Sequence, residues 1–328
     1  TGWCVREGLI TGAEQLVFEP LEGGVSSDIW MVATPARKFV FKRPRERLKV
    51  SADWLAPVER GAAEVAWLKT VATILPDSVP DVLAHDSEDF GLAMEFLDPE
   101  VHSNWKSDLM NGTVDVDFAK MVGGTLVTIH SQTAANSKLK YEFDNARDFE
   151  ALRIEPYFRR SAIAVPEIAP ELTEIIRNLE LHQNALIHGD FSPKNILVKR
   201  AERGLLPVVL DAECATWSDP AFDLAFCLAH LSLKFVHLPA QRESLLASVD
   251  ELQLAYKSGL DWEEPGALLQ RAERLVAALM LARIVGASPV EYLNPEEAKV
   301  VARVAVAALS SRESIFDLLF GQLGKDLK

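Results

Sequence analysis

The chain has 328 residues, 48% of them apolar, and a formal charge of −14. That length and apolar content suit about two packed lobes and exclude a disordered chain, while the acidic balance excludes the broad basic field that nucleic acid or an anionic membrane attracts. Cys4, Cys214 and Cys227 are few, odd in number and without metal-ligand spacing, so neither a disulfide framework nor a zinc site is expected and a reducing, cytoplasmic compartment fits best.

No run approaches the roughly 18 apolar residues of a membrane span, and the start lacks a basic-then-apolar secretory pattern. The first residue is not Met, which leaves a segment upstream of it open. From Gln15 to Lys42 the chain reads as strand, glycine turn, strand, tight turn at Thr34-Pro35-Ala36-Arg37, and strand. Apolar residues at helical spacing then predict a helix from about Pro57 to Ile74, ended by Pro76. Two more strands fit Asp81 to His85 and Gly91 to Leu97.

Past Asp98-Pro99 the pattern turns helical, around Val116 to His130, Ala146 to Arg160, Glu167 to Gln183, Phe222 to Leu238, Gln241 to Leu260, Pro265 to Val285 and Pro295 to Leu323. Two apolar runs among these, Ile196-Leu197-Val198 and Pro207-Val208-Val209-Leu210, are too short for helices and predict a β-hairpin.

That hairpin follows His188-Gly189-Asp190-Phe191-Ser192-Pro193-Lys194-Asn195 and precedes Asp211-Ala212-Glu213. Antiparallel strands bring their entry and exit to one end, so Asn195 and Asp211 converge. Mg2+ takes oxygen ligands and is commonly held by one or two protein oxygens, with phosphate and water completing the shell. Asp190, on the same loop, is placed to accept a hydrogen bond from a substrate hydroxyl and aim it at a terminal phosphate.

A triphosphate carries roughly four negative charges, so a cation is also needed, and Lys42 at the end of the third strand is the candidate, with Glu64 on the next helix to hold it. The turn containing Gly23, Gly24, Ser26 and Ser27 offers backbone N–H groups and hydroxyls to phosphates. The basic run Lys42 to Lys49 reads as a solvated loop beyond Lys42, or as a second source of charge beside the site.

These residues resemble the aminoglycoside phosphotransferase and choline kinase superfamily, which also holds methylthioribose kinases, over nearly the whole chain. The resemblance implies an α+β, bilobal, protein-kinase-like fold, with a small antiparallel-sheet nucleotide lobe over residues 1–97 and a larger helical lobe over 98–328. It also implies Asp190 as catalytic base, Asn195 and Asp211 as Mg2+ ligands, and Lys42 on the α- and β-phosphates of ATP with Glu64 as its partner. Met94-Glu95-Phe96-Leu97 resembles the hinge whose backbone at Glu95 and Leu97 binds adenine. Asp219-Pro220-Ala221-Phe222-Asp223 resembles the next family motif, in which Asp223 braces the catalytic loop and His188 packs beneath it.

Helix-like sequence resumes just after Asp223, leaving no room for the activation segment of a protein kinase. The expected activity is therefore ATP-dependent phosphorylation of a hydroxyl on an aminoglycoside, sugar, amino alcohol or hydroxy acid. A catalytically inactive nucleotide-binding regulator is the alternative, and a protein kinase a weaker one. Trp217 and Arg283 are candidate acceptor contacts, with core packing or a surface salt bridge as the plainer reading of each.

Overall fold

Apolar alternation in the first hundred residues produces one twisted sheet, and the helical patterns behind it produce a bundle. The computed structural model describes residues 2–11, 15–21, 24, 26–49, 54–202 and 204–326. A short helix, α1 (Gly2–Arg6), packs Cys4 with Leu9 and Ile10 against Val32, Phe39 and Ala93. Strands β1 (Val17–Pro20), β2 (Ser27–Ala33) and β3 (Lys38–Pro44) follow as expected, with Thr34 N–H donating to Arg37 O at 2.8 Å in the tight turn. Helix α2 (Arg60–Ile74) comes next, then β4 (Val82–His85) and β5 (Leu92–Glu95). The sheet order is β1-β2-β3-β5-β4, and every neighbouring pair is antiparallel.

Beyond the sheet, β6 (His102–Asn104) and α3 (Trp105–Met110) lead into α4 (Val116–Thr133), whose Asp115 cap accepts the Phe118 N–H at 2.9 Å. Helices α5 (Ser137–Glu142) and α6 (Ala146–Phe149) follow. The expected continuous helix to Arg160 is instead wound as a π-helix over Glu150–Arg159 before α7 (Arg160–Ala164). Pro156 lies inside this stretch; its ring donates no hydrogen bond and crowds the preceding turn, which wider winding relieves.

After α8 (Ala169–Leu181), β7 (Ala185–Ile187) carries the chain to the loop of Asp190. The predicted hairpin forms from β8 (Ile196–Ala201) and β9 (Gly204–Val209), with Ile196 opposite Val209 and β6 on the outer edge. Strand β10 (Thr216–Ser218) pairs with β7. Helix α9 (Ala221–His237) is buried along nearly its whole length, flanked by α10 (Arg242–Gly259), α11 (Pro265–Val285) and α12 (Pro295–Ser311). The last expected helix is two: Arg312 adopts φ 62° and ends α12, and Ser314 accepts the Asp317 N–H to open α13 (Ile315–Asp326).

One apolar core runs from Val65, Trp67, Leu68 and Val71 of α2 through the helices of the second half. Each fully buried Leu or Phe there contributes about 1.5–3 kcal/mol. Among the described residues no single helix is long and apolar enough to cross a membrane.

Candidate active site

The loop after β7 is held by its backbone. Asp223, in the first turn of α9, accepts the N–H groups of His188 (2.6 Å) and Gly189 (2.8 Å) on its two carboxylate oxygens. Gly189 has φ 74°, and a Cβ there would stand 2.4 Å from Cys214 O, so only glycine fits this turn. The Asp190 N–H donates to His188 Nδ1 (3.1 Å), which leaves the proton on Nε2 to donate to Leu210 O (2.9 Å). Burial lowers the His188 pKa, and the ring packs edge-on against Trp67. His188 is thus a neutral strut beneath the loop.

The Asp190 carboxylate points into a cleft of about 360 Å3 that Ser26, Lys194, Asp211 and Glu213 also line. Its Oδ2 accepts from Asn195 Nδ2 (2.9 Å) and lies 3.1 Å from the guanidinium of Arg153. Asn195 Nδ2 also donates to Asp190 O (3.0 Å), so its carbonyl oxygen is left for another partner. Arg153 was missed in the sequence because it sits in an apparently ordinary amphipathic helix. The π-helical winding carries it to the loop, where Nε donates to Gly189 O at 2.6 Å.

Asp211 follows β9 at φ 66°, a conformation that costs most residues energy and is better tolerated by Asp. It contacts Lys42 Nζ, and Lys42 also pairs with Glu64 (2.8 Å). Burial works against charge on Lys42, yet the Asp211 and Glu64 carboxylates hold its pKa above that of an ordinary lysine. Burial likewise opposes ionisation of Asp211, but Lys42 outweighs it and the pKa falls. For Glu64 burial outweighs the pull of Lys42, and its pKa is raised.

Arg60 was also missed, although it opens α2 four residues before Glu64. It is fully buried and donates to Ser26 O (2.6 Å), Arg45 O (2.7 Å) and Glu213 Oε2 (3.1 Å). One guanidinium thus joins the glycine turn, the basic run and the Asp211-Ala212-Glu213 segment. Other charged side chains of that run are on the surface, where Arg45 and Lys49 pair with Asp28 and Arg43 with Asp89.

In the glycine turn, Gly23 lies outside the described residues. A Cβ on Gly24 would stand 2.5 Å from Ser27 O, so the turn needs a glycine there. Ser26 faces the cleft, and Ser27 Oγ is buried without a partner. In the expected hinge segment, the Glu95 N–H is committed to Asp81 O (2.9 Å).

The two acceptor candidates separate. Arg283 lines the cleft with Asp190. Trp217 does not, because β10 runs antiparallel to β7 and carries the chain away from the loop, from Thr216 beside Ile187 to Ser218 beside Ala185. The Trp217 indole donates to Gln183 O (2.9 Å) and its ring is 6% exposed, so it is a packing residue. Beside Arg283 stand Lys106, His230, Lys234 and Tyr292, none of which the sequence motifs single out.

Residues 17–268 match the phosphotransferase enzyme family. The chain belongs to that family. Its fold is the kinase-like fold of three solved phosphotransferases. They are a microcompartment-associated aminopropanol kinase (15% identity, 94% of this chain and 96% of that one, TM-score 0.57), a macrolide 2'-phosphotransferase type I (15%, 92% and 95%, 0.53) and a spectinomycin phosphotransferase in complex with ADP and spectinomycin (12%, 90% and 84%, 0.50). At these identities the likeness is one of fold. No curated protein matches the chain by sequence.

Proposed function

We propose that this small-molecule kinase moves the γ-phosphoryl group of ATP to a hydroxyl of a small acceptor, with residues 1–97 as the nucleotide lobe and 98–328 carrying the catalytic loop and acceptor site. One observation carries the reading. Asp190 and Asp211 face the same cleft of about 360 Å3, each in contact with its own partner, Asn195 or Lys42. The ADP in the spectinomycin phosphotransferase complex supports a nucleotide in the equivalent fold.

The donor set fits a magnesium nucleotide. Asn195 keeps a carbonyl oxygen beyond its two N–H bonds, and Asp211 offers a carboxylate at the hairpin exit, both hard ligands. Magnesium, when bound, supplies charge neutralisation on the phosphate oxygens. Lys42, positioned by Glu64, would hold the α- and β-phosphates, and the turn bearing Gly24, Ser26 and Ser27 would offer them further donors. Asp190, held by Arg153 and Asn195, accepts the acceptor's hydroxyl proton and lines the oxygen up with the γ-phosphorus.

Peptide substrates are disfavoured, because β10 and the start of α9 occupy the chain directly after Asp211. An inactive regulator is disfavoured by the braced Asp190, which binding alone does not require. The test is ADP release with Mg-ATP over hydroxylated acceptors, with the phosphorylated product identified by mass spectrometry. Product formation that Asp190→Asn leaves at full rate overturns the assignment of Asp190, and absence of product with every acceptor overturns the reaction.

A further inference from the structure

The cleft holds charges that phosphate transfer from ATP does not use. Lys234, on α9, is 1% exposed, and among the described residues no carboxylate lies within ion-pair distance; its ammonium has only a long 3.4 Å bond to His230 O. Arg283, on α11, likewise has no carboxylate partner: Nη1 donates to Ser288 Oγ (2.8 Å) and Tyr157 OH (3.3 Å), while Nε is buried and unpartnered. The Tyr292 hydroxyl is buried and unpartnered beside them, its ring 5.4 Å from Lys234 Nζ. Lys106, which also lines the cleft, pairs with Glu291. Lys234 and Arg283, the cleft-lining cations of α9 and α11, thus lack a carboxylate partner among the described residues, in a protein whose formal charge is −14.

Burying a cation without a counter-charge is expensive, and folds keep such groups where a ligand supplies the missing partner. Burial first, then the charges of Lys106 and Arg283, lowers the Lys234 pKa to about 7, and an oxyanion bound beside it would favour the charged form again. An amine-bearing acceptor would add a third like charge to this wall. Resting on the phosphotransfer reading above, we infer that the acceptor is a small hydroxylated molecule carrying an oxyanion, a carboxylate or a phosphate ester, which Lys234, Arg283 and Tyr292 bind while its hydroxyl meets Asp190.

The experiment presents Mg-ATP with glycerate, glycerol 3-phosphate, glyceramide and 3-aminopropane-1,2-diol, and with the same end groups on longer carbon skeletons. Faster turnover, as kcat/KM, is expected with the oxyanion members than with the amide or amine; the better of carboxylate and phosphate identifies the group. Lys234→Met should cut the preference for acid over amide, read as a ratio of kcat/KM, by about thirtyfold or more, because only the acid loses a buried charge partner. Its melting temperature should be no lower than wild type. Preference for amine or amide, or an unchanged ratio in Lys234→Met, overturns the inference while leaving the kinase reading intact.

Should no member turn over, melting temperature in glycerate or inorganic phosphate, against chloride at equal ionic strength, decides the matter. A rise that Lys234→Met abolishes supports the oxyanion site even where the kinase reading has failed. No rise in the wild type overturns the site.

Discussion

Arg60 and Glu213, 153 residues apart in the chain, meet in a buried ion pair of 3.1 Å that ties the start of α2 to the segment carrying Asp211. The same guanidinium serves four backbone carbonyls, Ser26, Arg45, Ala56 and Pro57. Arg60→Ala would leave Glu213 and these carbonyls unpaired in the interior. The expected loss is about 3–5 kcal/mol of folding stability, read from the urea midpoint. Combined with Glu213→Gln, the loss should fall short of the sum of the single variants, because the two residues share one network. Strict additivity would mean that they do not act as a pair.

Asp190 and Asp223 make a contrasting pair of variants. Asp190→Asn keeps the side chain's shape, so the fold and ATP binding should survive while turnover drops by roughly a hundredfold, the usual scale for losing a positioned general base. Asp223→Asn replaces one acceptor oxygen with an NH2 group facing the His188 or Gly189 N–H. It should lower melting temperature and activity together. An Asp223→Asn variant that is inactive yet melts like the wild type would move Asp223 from support to chemistry.

The parts of this site that lie close in sequence were legible, and the parts assembled by packing were not. Asp190, Asn195 and Asp211 could be placed together because a loop and a hairpin are local, and β8 and β9 do return Asp211 to the Asn195 end. Lys42 and Glu64 were legible from strand and helix order, and their pairing is direct. Arg153 was hidden because a helical pattern does not disclose π winding, which depends on how Pro156 is accommodated. Lys234 was hidden for another reason: a lysine in an apolar helix reads as a solvated end group, and only packing reveals it as 1% exposed. Trp217 failed on strand direction, since nearness to Asp211 in sequence says nothing about which way β10 runs.

ATP with Mg2+ should raise the melting temperature, since a ligand at 100 times its dissociation constant stabilises by about 2.7 kcal/mol. Asp211→Ala should remove most of the magnesium-dependent part by deleting a hard oxygen donor. The variant also frees Lys42 from one of its two carboxylates, so binding of ATP without metal should hold or strengthen. Equal melting shifts with and without Mg2+, in both proteins, would refute the assignment of Asp211 as a ligand.

The buried Lys234 sets a pH dependence whose sign can be worked out. Its pKa is about 7 in the folded chain, lowered by burial and by Lys106 and Arg283, against 10.5 for an ordinary lysine. Below about pH 7 both folded and unfolded states carry the proton, and the full penalty of the buried charge weighs on the fold. Between about pH 7 and 10.5 the unfolded chain binds the extra proton, so stability rises with pH at up to about 1.4 kcal/mol per unit. Lys234→Met has no such group. The wild type should therefore be the less stable protein at pH 7 and gain on Lys234→Met as pH rises toward 10. Tyrosines, cysteines and the other lysines are present in both proteins and largely cancel in the difference. Urea midpoints of the two proteins at several pH values over this range measure the gap directly. A gap that stays constant with pH would show that Lys234 carries an ordinary pKa.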